Sequence, residues 1–123
     1  MIRVTENGIW MRQGDSGNIG FDGLPTDKNY VPYLSLFNEE TQKIVKEFTG
    51  IFDQNAGSAD FAFIPESTDD VPVGEYTYAF KLCYGQQEDT LIPEVTVEDG
   101  TIIEQAAPNF TIAVKRAEGT AND

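Results

Sequence analysis

Histidine is absent from this chain of 123 residues, and cysteine occurs once. Without an imidazole there is no Ser-His-Asp or Cys-His nucleophile system and no His-ligated metal centre. With Cys83 as the lone thiol there is neither a CxxC redox pair nor an intrachain disulfide, and its expected role is that of a small strand side chain. Positive charge is scarce too: 8 Lys and Arg stand against 21 Asp and Glu, for a net charge of −13. Such a surface repels phosphate backbones and anionic headgroups, so neither nucleic acid nor a membrane is expected as a partner. No run approaches the ~18 apolar residues of a membrane span. The opening MIRVTENGIWMRQGD has neither a charged-then-apolar signal region nor a small-residue cleavage site. A soluble protein whose mature chain starts here is the expectation.

What is present suffices for a core. Hydrophobic residues make up 40% and aromatic residues 11%, above the regime in which charge prevents collapse. The length suits one domain, expected over 1–116, followed by a small polar tail at 117–123 expected to be disordered. In 75–84, Tyr76, Tyr78, Phe80, Leu82 and Tyr84 take every second position while Thr77, Ala79, Lys81 and Cys83 fall between them. Period two lays four aromatics and a leucine on one face of a strand, which predicts a central core strand.

Further strands are predicted at 2–5, 9–12, 18–21, 31–37, 44–52, 59–64, 91–92, 95–97, 101–104 and 110–114, with Gly, Asn, Asp and Pro in the gaps. Asp99-Gly100 between two apolar runs is a two-residue hairpin signal, because both positions tolerate positive φ. In 38–48, Asn38-Glu39-Glu40-Thr41 fits either a helix cap or a tight hairpin connection, and the β character of the neighbouring residues favours strand. Short strands at this density predict an all-β fold, an immunoglobulin-like antiparallel β-sandwich. Its expected edges are the first segment and 110–114, which carries no charge.

Chemical motifs are few. Asp53, Asn55 and Asp60 sit at the first, third and eighth positions of a calcium-loop pattern, but its sixth position is Ser58 and its twelfth Ile64. A loop site of another kind with Asp69 and Asp70 is the lesser alternative to a solvated turn. Asp69-Asp70, Glu39-Glu40 and Glu88-Asp89 lie in polar, turn-like contexts, whereas an acid tuned for proton transfer needs desolvation. Gly14, Gly17 and Gly20 lack the lysine and helix of a phosphate cradle, and Asn109-Phe110-Thr111 matches a glycosylation acceptor only formally. No catalytic, cofactor-binding or metal-binding residue is assigned, and the expectation is a protein that is not an enzyme and has no cofactor. Trp10 and Met11 next to Ile9 and Arg12 fit either core packing or an exposed anchor, and core packing is expected.

Two stretches together resemble the N-terminal β-sandwich modules of baseplate proteins from tailed phages and prophages of Gram-positive hosts. In 4–21, Met11-Arg12-Gln13-Gly14-Asp15 leads into a short strand. Later, Phe61-Ala62-Phe63-Ile64 is followed by Pro72-Val73-Gly74-Glu75-Tyr76-Thr77-Tyr78, then Thr90-Leu91-Ile92-Pro93, with 110–114 as the closing strand. The chain departs from the family in having Pro93 where Gly is common and in ending soon after the sandwich. The resemblance implies a structural component of a phage or prophage tail or baseplate, made in the bacterial cytoplasm and located in the virion. It would act by homo-oligomer formation and by docking other tail proteins. The alternative is a carbohydrate-binding or adhesion sandwich with Trp10, Tyr30, Tyr33 or Tyr84 as a sugar-stacking platform.

Overall fold

The computed structural model describes residues 1–115; the tail expected to be disordered lies outside the described residues. The fold is all-β. Twelve strands run in the order β1 (Arg3–Thr5), β2 (Gly8–Arg12), β3 (Gly17–Phe21), β4 (Val31–Asn38), β5 (Lys43–Thr49), β6 (Ile51–Asp53), β7 (Ser58–Phe63), β8 (Gly74–Tyr84), β9 (Gln87–Ile92), β10 (Val95–Glu98), β11 (Thr101–Glu104) and β12 (Asn109–Ala113). Among the described residues a single 3-10 turn, Pro65–Thr68, interrupts them.

The alternating segment forms β8, the longest strand and the centre of a seven-stranded sheet ordered β1-β2-β12-β8-β4-β5, with β9 also paired to β8. Tyr76, Tyr78, Phe80 and Leu82 are buried as the period-two pattern predicts, while Tyr84 at the strand's end is half exposed. A second sheet, β3-β7-β6, covers this face. Phe21 of β3 stacks on Phe80 with ring centroids 4.1 Å apart and planes 7° from parallel, and Phe61 of β7 meets Phe80 edge-on at 6.0 Å. Aromatic pairs in these geometries add about 0.5–1.5 kcal/mol each to the burial of their area.

The segment 38–48 resolves as a hairpin. Asn38 Oδ1 accepts hydrogen bonds from the N–H groups of Glu40 (2.9 Å) and Thr41 (3.2 Å), and Gln42 N–H donates to the Asn38 carbonyl (2.8 Å). Gln42 takes φ 59°, which closes the turn and leads into β5. Only Phe48 of the three apolar positions packs against the core; Ile44 and Val45 are exposed, so no helical apolar face exists to be buried. The single strand expected over 44–52 is two strands in different sheets. They part at Gly50, where a Cβ would stand 2.7 Å from the Asp60 carbonyl and 2.9 Å from the Phe61 ring.

One expectation about edges is overturned. The last strand, β12, is central, parallel to β2 on one side and antiparallel to β8 on the other. Its lack of charge is that of an interior strand whose Phe110 and Ile112 are fully buried. The edges of the seven-stranded sheet are β1, three residues long, β9, which pairs with β8 alone, and β5, which carries Lys43, Lys46 and Glu47 as guards against pairing. The acids expected in a turn at 88–89 lie in β9, exposed to solvent.

The charge of −13 leaves the folded chain under self-repulsion that salt screens. Raising ionic strength from low to physiological is expected to raise the melting temperature. A flat or falling response would show that its few ion pairs outweigh the repulsion.

Candidate functional site

The Asp53–Asp60 stretch is the β6–β7 turn: Asp53 Oδ1 accepts from Ala56 N–H (3.1 Å), and Gly57 takes φ 65°. Asp70 pairs with Lys46 at 2.7 Å, which holds its carboxyl below the usual range, and Glu39 accepts from the Thr77 hydroxyl at 2.9 Å. No Asp or Glu among the described residues is fully buried, and where a carboxyl shift is resolved, at Asp15 and Asp70, its direction is down and not the upward one that acid catalysis needs. Among the described residues no three His, Cys, Asp or Glu side chains converge as metal ligands. Burial, reinforced by the negative charges of Glu88 and Glu47, pushes the Cys83 thiol up, which disfavours the nucleophilic thiolate.

The proposed sugar-stacking aromatics do not form a platform. Tyr30 and Tyr84 meet at 6.4 Å but at 72°, so their faces cannot lie along one sugar chain. The Lys81 ammonium lies 5.6 Å from the Tyr33 ring, and Trp10 is on β2, which β12 separates from the β8 and β4 strands that carry Tyr84 and Tyr33.

Two other features stand out on the surface. On β2, Ile9 and Met11 face the core, and the same alternation turns Trp10 and Arg12 to the outer face of the sheet. The expectation of a core Trp10 is thus corrected: Met11 takes the inward position and Trp10 is half-buried outside. Arg3 of β1 is its direct cross-strand partner. The guanidinium carbons of Arg3 and Arg12 lie 5.4 Å and 5.3 Å from the centre of the Trp10 ring, within cation–π range. Arg12 also donates to the Val114 carbonyl at 3.1 Å, and the Lys115 stem passes over Gly14. Together with Asp15 these residues line a groove of about 410 Å³. Burial raises the Asp15 carboxyl, but hydrogen bonds from the terminal ammonium and from Arg12 N–H outweigh it and hold the group below its ordinary value. Arg3, Arg12 and Lys115 form no ion pair among the described residues. Three of the chain's 8 basic residues thus gather at one corner of an acidic protein.

The second feature is an arm. β10 and β11 pair with each other and with no other strand, and Asp99 (φ 48°) and Gly100 (φ 77°) form the turn the sequence predicts. All eight strand residues are exposed. Val97 pairs with Ile102, and Val95 lies two residues from Val97, so the three share one face, at 68%, 73% and 56% exposure. Glu94, Glu98, Asp99 and Glu104 make the arm acidic, with no basic residue in 93–105.

The hairpin was legible from Asp99-Gly100, but its detachment was not, since nothing local shows whether a face finds a cover. The basic corner was missed because its cations are scattered along the chain. The signal that could have found it is Arg3, Trp10 and Arg12 alternating outward on two strands joined by the Glu6-Asn7-Gly8 turn. No protein-family model matches the chain, and no curated protein matches it.

Proposed function

We propose that the chain is a non-enzymatic structural component of a phage or prophage tail or baseplate. In this reading it is a single immunoglobulin-like sandwich in the virion, antiparallel except for the β2–β12 pair, working by self-association and by docking to other tail proteins. The β10–β11 arm is the observation that supports an assembly role. A two-stranded hairpin alone in water is marginal, and this one holds three aliphatic side chains away from the core. A partner that covers Val95, Val97 and Ile102 would bury their area and order the arm. The absence of a coplanar aromatic row gives the sugar-binding alternative less support. The phage assignment itself rests on the resemblance in 4–21, 61–93 and 110–114.

Co-expression with the products of the genes flanking its own tests this reading. A stable complex with a tail protein is expected, and Val97→Asp with Ile102→Asp is expected to abolish it. Both residues are exposed and β10–β11 pairs with no other strand, so the double change should leave the stability of the core unchanged, the repulsion of the two facing carboxylates being confined to the arm. Absence of any complex, or a complex indifferent to the double change, would overturn the reading.

A further inference from the structure

The basic corner and the acidic arm are complementary, and they lie on different parts of the same chain. The corner presents Arg3, Arg12 and Lys115 around Trp10, with no ion pair to neutralise them among the described residues. The arm carries Glu98 and Asp99 at its tip and Val97 and Ile102 immediately behind. We propose that the arm of one copy docks into the Trp10 groove of a second copy, a head-to-tail contact by which the chain self-associates. This rests on the reading of the arm as a docking element and names its occupant.

The chemistry fits at each contact. A guanidinium stacked on an indole keeps its N–H fork free for a carboxylate, and such paired hydrogen bonds are stronger than neutral ones. Trp10 offers an apolar body on which Val97 and Ile102 can settle, leaving the two tip carboxylates to meet the three cations. Four strand residues at about 3.4 Å each give an arm about 14 Å long, enough to reach across a groove of this size. A copy does not satisfy its own corner in this structure, since every strand residue of its arm is exposed. The opposing effect is the −13 on each copy. At about 0.15 M salt, interactions beyond about 8 Å are largely screened, so the local pairing decides. The contact joins two different patches, and therefore either closes into a ring or continues as an open chain.

Sedimentation velocity of the full chain at physiological salt tests this, from about 10 µM to about 500 µM, a range suited to a small transient interface. The wild-type mass is expected to rise at least twofold over the series. Arg3→Glu with Arg12→Glu should remain monomeric. So should Glu98→Lys with Asp99→Asn, in which Asn keeps the positive φ that Lys would strain. An equimolar mixture of the two reversed variants should associate again, because each arm then meets a corner of opposite sign. A wild type that stays monomeric, a reversed variant that associates alone, or a mixture that stays monomeric would each overturn the proposal. If a reversed variant fails to fold by circular dichroism, Arg3→Gln with Arg12→Gln serves in its place, and wild-type association by that variant overturns the proposal equally. A monomeric wild type whose arm still binds a flanking tail protein would reject this contact and leave the docking role of the arm standing.

Discussion

Replacing Phe80 by alanine is expected to cost about 3–5 kcal/mol, against a stability of about 5–15 kcal/mol for an ordinary domain. The ring is 1% exposed at the middle of β8, stacked on Phe21 and met edge-on by Phe61. It belongs to the central strand of one sheet and touches side chains from two strands of the other. Truncation therefore opens a void between the layers that neither sheet can close without leaving its hydrogen-bonded register. Equilibrium unfolding in urea measures the loss. Phe80→Leu, which keeps much of the apolar volume, should cost less than half as much. A Phe80→Ala cost below about 1 kcal/mol would mean that the two layers do not share this core.

Gly8→Ala is the second large effect. Gly8 opens β2 with φ 149°, and a Cβ there would stand 2.1 Å from the Asn109 carbonyl oxygen, its partner in the parallel β2–β12 pair. Backbone strain at such a φ costs about 1–3 kcal/mol, and forcing an added methyl into a packed site costs about 1–3 more. The expected loss is about 3 kcal/mol or greater. Gly23→Ala is the control: its φ is 68° but nothing lies within 4 Å of the added Cβ, so only the backbone part, about 1 kcal/mol, applies. Equal losses at the two glycines would show that the close approach of β12 to β2 does not constrain the fold. Because β2 carries Trp10 and Arg12, Gly8→Ala is also expected to disturb the basic corner.

The sequence by itself determined where most of the strands lie, though not the break at Gly50 that divides 44–52 between two sheets. Period-two alternation in 75–84 sets which face of β8 is apolar, and Asp99-Gly100 sets a two-residue turn, because both are properties of a few adjacent residues and of the φ values they allow. The same locality made Asn38–Thr41 a connection that serves a hairpin as well as a helix cap. What only the tertiary structure decided is the order in which the strands meet. An uncharged strand reads alike at an edge or at a centre, and β12 is central because Phe110 and Ile112 complete a core shared with β2 and β8. Trp10 and Met11 compete for one inward position. Met11 holds it because the alternation that buries Ile9 admits Met11 and turns Trp10 outward. The basic corner exists because β1, β2 and the chain after β12 are brought side by side, and the arm is free because no other strand lies against its apolar face. Pairing between segments a hundred residues apart depends on which apolar faces can be buried together, a property of the whole chain that no local pattern records.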